Sequence, residues 1–187
     1  MTLRGSYMIK IGITGHRVLD EKVIKTCKLK FFEELNLLKN KYSNIVFLSP
    51  LADGADRLVV FEAIKLNIEF IAVLPMSKDE YKKDFNDAST LEFDYLLTKA
   101  KKIITLPNSS TCRELLYEKV GYFVSDNCDM LFALWDGTYT GLKGGTSEIV
   151  KYYCSKKNYF LYHFHVSRSD IVNNNMVRLI KYKKERL

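Results

Sequence analysis

Short, nearly continuous apolar runs alternate along this chain with longer stretches whose apolar residues recur every three or four positions. These are the patterns of a buried strand and an amphipathic helix. "MIKIGITG" at 8–15 is a first strand, and the helix after it, over 20–42, carries Val23, Cys27, Phe31, Leu35 and Leu38 at helical spacing. "NIVFLSP" (44–50) and "EFIAVLP" (69–75) are a second and a third strand, with a helix over 55–67 between them. An excursion over 76–100 holds a short helix and a longer one before a fourth strand, "KKIITLP" (101–107). A helix over 111–127, a strand over 128–136, a helix over 146–157 and a strand over 158–166 complete the alternation. The last residues, 169–187, predict a basic C-terminal helix capped by Ser169 or Asp170. Its apolar positions Ile171, Val172, Met176, Val177 and Ile180 suit docking on the sheet or on a second subunit, so a homo-oligomer is expected.

This order predicts an α/β fold, a doubly wound, mostly parallel, Rossmann-like sheet with helices on both faces. Strands apolar along their whole length fit a sheet covered on both sides. A length of 187 residues suits one domain, 1–187, with its core over about 8–165. No repeat, low-complexity segment or Gly/Ser linker interrupts it. No apolar stretch approaches the roughly 20 residues that span a bilayer. The N-terminus runs straight into the Gly15 turn without a small-residue cleavage site, so a cytoplasmic protein with no membrane partner is expected. The cysteines, Cys27, Cys112, Cys128 and Cys154, form no C-x-x-C pair and read as reduced thiols. His163 and His165 share one strand face, but no further ligand can be pointed to. They read as structural, and neither a metal nor a cofactor is expected.

The net charge of +7 attracts anions in general, including nucleotides, nucleic acid and acidic partners. The aromatics sit mostly at core periodicities, leaving no stacking platform for single strands, and no helix-turn-helix or RNA-recognition signature is present. On those grounds the sequence argues against nucleic acid as the partner.

In a doubly wound sheet the ligand site lies beyond the C-terminal ends of the strands. Here the first strand exits through Thr14, Gly15, His16 and Arg17, and the second through Ser49, Pro50 and "ADGAD" (52–56). The fifth exits through Asp136, Gly137 and "TYTGLKGGTSE" (138–148). Gly141, Gly144 and Gly145 let a ligand approach the backbone, and Thr146, Ser147 and Glu148 lead into a helix whose N-terminus favours phosphate. Thr146 or Ser147 also suits an N-cap, with Glu148 stabilising the first turn. Asp53 and Asp56 suit ribose hydroxyls or acid/base work, and equally a helix cap paired with Arg57; for Asp56 capping is the preferred reading. Arg17 suits bidentate phosphate contact, while His16 serves either the ligand or the backbone of its own turn. Neither G-x-G-x-x-G nor G-x-x-x-x-G-K-[ST] occurs, which removes support from ordinary dinucleotide and P-loop readings.

"GITGHR", "LADGADRLV", "AVLPMSKDEYKKDF" and "ALWDG" followed by "GLKGGTSEIV", in that order, resemble the SLOG superfamily of Rossmann-like nucleotide-binding domains. It joins the DNA-processing protein Smf/DprA, the "lonely guy" phosphoribohydrolases and sensor domains found beside TIR domains and in TRPM channels. The resemblance, closest to bacterial members with a TGHR turn, covers roughly 8–165. It implies a nucleotide or nucleotide-derived ligand along the strand C-termini, with Gly15, His16, Arg17, Gly144, Gly145 and Thr146 holding phosphate. It also implies that Asp53, Gly54 and Asp136 line the ribose side. The phosphoribohydrolases carry P-G-G-x-G-T-x-x-E with a catalytic Glu. Here no Pro precedes Gly144, and Glu148 stands one residue closer to the Thr, a shift of about 100° around a helix. Two functions follow as expectations: a module that senses or sequesters a nucleotide-type ligand, or an N-glycosidic hydrolase of nucleotides using Glu148 or Asp53. A DNA-associated protein of the Smf/DprA type is a third, which the basic tail permits.

Overall fold

The structure, a computed structural model, describes residues 8–107, 110–156, 158–166 and 178–184. In chain order these form β1 (Met8–Gly15), α1 (Glu21–Lys41), β2 (Asn44–Ser49), α2 (Ala55–Lys65), β3 (Glu69–Leu74), α3 (Lys78–Lys82) and α4 (Asp87–Lys99). There follow β4 (Lys102–Thr105), α5 (Arg113–Asn127), β5 (Met130–Trp135), α6 (Thr146–Cys154), β6 (Tyr159–His165) and β7 (Arg178–Lys184). The strands make one sheet in the order β4-β3-β2-β1-β5-β6-β7. All pairs are parallel except β6 with β7.

The sheet is buried between two helical layers, as its uniformly apolar strands require. On one face Ile9, Ile11 and Ile13 of β1 meet Cys27, Phe31 and Leu35 of α1 and Val59 and Ala63 of α2, a core continued by Tyr81, Phe93 and Leu96. On the other, Leu131, Ala133 and Trp135 pack on Val150 and Tyr153 of α6, while Leu48 and Val73 pack on Val120 and Val124 of α5. α1 starts at Asp20, whose side chain accepts from the Lys22 amide at 2.8 Å. The chain runs outward from β1 through β2 and β3 to β4, then returns beneath the sheet as α5 to place β5 on the other side of β1. That reversal opens the crevice in which a doubly wound sheet binds its ligand.

The C-terminal segment departs from the helix expected over 169–187. Residues 167–177 and 185–187, including Ser169, Asp170 and the apolar positions 171–177 behind the oligomer expectation, lie outside the described residues. Residues 178–184 form the antiparallel edge strand β7. An open edge selects a strand here: β6 pairs with β5 on one side, and without β7 the N–H and C=O groups on its other side would have no ladder partner. Leu179 packs against the core, Lys181 reaches Glu34 of α1 at 2.6 Å, and Tyr182 lies on the opposite face beside His163. Among the described residues no helix is long and apolar enough to cross a membrane.

Candidate functional site

The exits of β1 and β5, adjacent strands in the sheet, meet at the reversal and enclose a cleft with two chambers. The outer chamber, about 600 Å³, is walled by Gly15, His16, Arg17 and Val18 on one side and by Trp135, Thr138, Thr140 and Leu142 on the other. Gly144, Gly145, Thr146 and Ser147 close it. The inner chamber, about 70 Å³, shares Gly15, Arg17, Gly144 and Thr146 with the outer one. It continues to Thr14, Pro50, Ala52, Asp56, Tyr81 and Tyr117.

The turn after β1 is held by its own backbone. The His16 amide donates to the Leu134 carbonyl at 2.9 Å, and the His16 carbonyl accepts from the Ala55 amide at 3.0 Å. The His16 side chain, 9% exposed, accepts at Nε2 from the Asp136 amide at 3.0 Å. The same Nε2 lies 3.5 Å from Asp136 Oδ1, so His16 fastens the turn to the end of β5. Arg17 is exposed and differs. Its guanidinium lies 4.8 Å from the centre of the Tyr117 ring, and it lines both chambers. Among the described residues no carboxylate pairs with it within 4.0 Å. Tyr117 is in turn fixed by Asp84, and by Arg113, whose Nε donates to the Tyr117 hydroxyl at 3.2 Å.

The glycine loop ends at α6, whose N-cap is Gly145 rather than the expected Thr146 or Ser147, and no side chain caps the helix. Ser147 is occupied instead by Thr140, whose amide donates to Ser147 Oγ at 3.3 Å. The first-turn amides of Thr146 and Ser147 have no carbonyl within the helix to bond, and both residues border the outer chamber. Gly144 has φ +68°, and a Cβ there would stand 2.8 Å from the Glu118 amide nitrogen and 2.9 Å from Tyr117 Cβ, so only glycine lets the loop lie on α5. Glu148 lines neither chamber. Its Oε2 accepts from the Gly144 amide at 2.7 Å, and the Tyr122 hydroxyl lies 3.5 Å from its Oε1. The carboxylate read as a catalytic candidate therefore serves as a brace for the loop.

Asp53, Gly54, Asp136 and Gly137, expected at the ligand, do not line either chamber. Asp53 Oδ1 lies 2.9 Å from Arg57 Nη1 and accepts from the Ser89 hydroxyl. Arg57, 2% exposed, must be neutralised where it sits, and Asp53 does so together with Glu92, whose Oε2 lies 3.6 Å from the same Nη1. Gly54, φ +78°, brings the start of α2 against the carbonyls of His16 and Arg17, leaving no space for a Cβ. Asp136 Oδ1 accepts from the Thr138 amide at 2.9 Å and so closes its own turn. Gly137 faces the rings of His163 and His165. His163 Nε2 lies 3.1 Å from the Trp135 carbonyl, and burial pushes its pKa below the usual histidine value.

Sequence reasoning read Asp56 as a cap; the structure puts it at the closed end of the inner chamber, 5% exposed. Its Oδ2 accepts from the Ala52 amide at 3.3 Å. Burial pushes its carboxyl up to about 7, opposed by the Ala52 amide and by the charges of Arg17 and Arg57. Tyr81, Tyr117 and Trp135 were missed because each also satisfies a core periodicity. The Trp135 indole N–H is buried with no hydrogen-bond partner among the described residues, an exception to the rule for buried donors.

No family model and none of the curated proteins matches this sequence. Solved structures do match its fold. DNA processing protein A (DprA) from Streptococcus pneumoniae superposes with a TM-score of 0.63 at 14% identity, over 87% of this chain and 52% of that one. DNA processing protein A from Helicobacter pylori, whose structure is described by its single-stranded DNA binding mode, superposes with a TM-score of 0.55 at 16% identity. That match covers 87% of this chain and 67% of the other. The chain thus spans about half the length of the pneumococcal protein. The argument against nucleic acid as a partner does not stand, because a protein of this fold is described as binding single-stranded DNA. It relied on missing short signatures, and an α/β sheet presents its ligand surface through loops that those signatures do not describe. At this identity the likeness is one of fold, and it agrees with the Rossmann-like, DprA-type architecture that the motifs resemble.

Proposed function

We propose that this protein binds a nucleotide in the cleft between β1 and β5, with the phosphate at the N-terminus of α6 and Arg17 across from it. The observation that carries this reading is the uncapped first turn of α6, opening onto a chamber of about 600 Å³ that Arg17 also lines. Amides at a helix N-terminus and an unpaired guanidinium are complementary to a phosphate. The chamber volume falls in the usual range for small-molecule sites, roughly 300–1,000 Å³. The unpartnered indole N–H of Trp135 supports a polar ligand on the opposite wall.

Retention without turnover is the form of this reading that the side chains favour. Glu148 is engaged by the Gly144 amide and Asp53 by Arg57 and Ser89, so neither carboxylate offered for hydrolysis borders the cleft. The test is mass-resolved chromatography of a pool of AMP, NAD, ADP-ribose and cyclic nucleotides, incubated with the protein and analysed again after denaturation. A compound that leaves the free pool and returns intact is the expected result. Release of a free base would overturn retention in favour of glycosidic hydrolysis.

Single-stranded nucleic acid is a second reading, favoured by the fold likeness to DprA and by the net charge of +7. It predicts an oligonucleotide affinity that falls steeply with salt. The affinity of a free mononucleotide, with few phosphates, would change far less over the same range.

A further inference from the structure

We infer that the inner chamber is a ribose-hydroxyl subsite and that Asp56 is the residue by which this cleft distinguishes ribonucleotides from deoxyribonucleotides. The inference rests on the nucleotide reading given above. Three observations at the closed end of the cleft carry it.

The inner chamber, about 70 Å³, is far smaller than the outer one, about 600 Å³. The roomier outer chamber, beside Trp135, Val18 and Leu142, suits the base, and the smaller one suits the sugar.

The chemistry at the closed end suits a donor and not an anion. Asp56 is 5% exposed, and its one hydrogen bond is the 3.3 Å contact from the Ala52 amide to Oδ2; among the described residues no donor meets Oδ1. Oδ1 thus offers an open acceptor position in the lining of the inner chamber, and a ligand that displaces water from it must supply a donor in its place. A phosphate supplies none, and a second anion beside this carboxylate would be repelled. A ribose supplies two hydroxyl donors.

The placement also fits the rest of the ligand. Thr146, at the N-terminus of α6, and Arg17 border both chambers, so the inner chamber opens directly beside the proposed phosphate position. A 5′-phosphate at α6 thus leaves the sugar next to Asp56. Asp53 and Asp136, the other carboxylates at these strand exits, are held by Arg57 and Ser89 and by the Thr138 amide, outside both chambers. Asp56 is therefore a specificity residue.

The experiment is calorimetric titration of the full chain at pH 8 with the four ribonucleoside 5′-monophosphates and their 2′-deoxy counterparts, repeated on Asp56→Asn. The wild type should bind at least one ribonucleotide roughly 10- to 100-fold more tightly than its deoxy counterpart, the effect of losing a hydrogen bond to a charged group. In Asp56→Asn that ratio should fall to within about threefold, with the circular-dichroism spectrum unchanged. Equal binding of ribo and deoxy forms by the wild type overturns the inference and leaves nucleotide binding standing. A ribose preference that survives in Asp56→Asn overturns it too. If no ribonucleotide binds, both this inference and the reading beneath it fail.

Discussion

Two strand-to-helix turns at the same edge of the sheet look alike in sequence and do opposite work. "ADGAD" after β2 and "GLKGGTSE" after β5 each place glycine before a helix and an acid within its first turn. After β5, the helix N-terminus is uncapped and opens onto the cleft. After β2, the N-terminus of α2 is sealed: the Ala55 amide bonds the His16 carbonyl, Gly54 lies against the backbone of the β1 turn, and Asp53 is held by Arg57. Glycine in one turn frees amides for a ligand, and in the other it lets two backbones touch. The acids divide the same way, since Glu148 braces an open turn and Asp56, from a sealed one, reaches the end of the cleft.

The sharpest way to break that contrast is to add one methyl to each turn. Gly54→Ala forces φ +78° on an L-residue and drives a Cβ into the carbonyls of His16 and Arg17. Left-handed strain and overpacking together should cost about 2–5 kcal/mol, read by urea unfolding. Gly145 has φ −77°, and a Cβ there meets the Leu142 carbonyl oxygen at 3.0 Å. Gly145→Ala should cost less than about 1 kcal/mol of stability while weakening nucleotide binding, because the change lies at the proposed phosphate contact. Equal stability losses in the two variants would erase the distinction.

The sealed turn has a pH signature. The Asp56 carboxyl is raised in the folded chain from 3.8 to about 7. Between those values the native state binds more protons than the unfolded one, so stability falls as pH rises from about 4 to about 7. Thermal melts across that window should show the decline, and Asp56→Asn should flatten it; an unchanged slope would refute the burial argument. Next in size is Asp53→Asn, expected to cost about 1–3 kcal/mol by depriving buried Arg57 of the nearer of its two countercharges, Glu92 being the other at 3.6 Å, with nucleotide affinity unaltered. The smallest effects on folding belong to the open turn. Arg17→Ala, which removes an exposed side chain and a cation–π contact, should cost no more than about 1 kcal/mol of stability. The same variant should lower nucleotide affinity roughly 10- to 100-fold, from the loss of charge-assisted bonds to phosphate.

Much of this was legible in the chain. The six parallel strands and their intervening helices follow from apolar runs and 3.6-residue spacing, and the placement of a ligand site at the strand exits follows from topology alone. Thr14, Gly15, Arg17, Gly144, Gly145, Thr146 and Ser147 all border the cleft. Asp53 and Asp136 look like ligand groups; for Asp53 the structure has the other reading the sequence offered, the pair with Arg57, with Ser89 added from α4, and Asp136 closes its own turn on the Thr138 amide. β7 was hidden because the helix expected over 169–187 rested on apolar positions of which only Ile180 falls within β7, and the open outer edge of β6 is what pairs with this segment.

The sequence by itself determined the periodic elements, their parallel order and the cluster of glycines and cations at one sheet edge, because periodicity and turn chemistry act over a few residues. Tertiary structure alone decided which glycine opens a site and which closes a contact, and which carboxylate faces the cleft. Several carboxylates bond close by in sequence, but the contacts that seal one turn and shape the other join distant elements: the Ala55 amide with the His16 carbonyl, Ser89 with Asp53, and Gly144 against α5. A side chain's availability depends on that packing, whereas its chemistry is fixed by its identity.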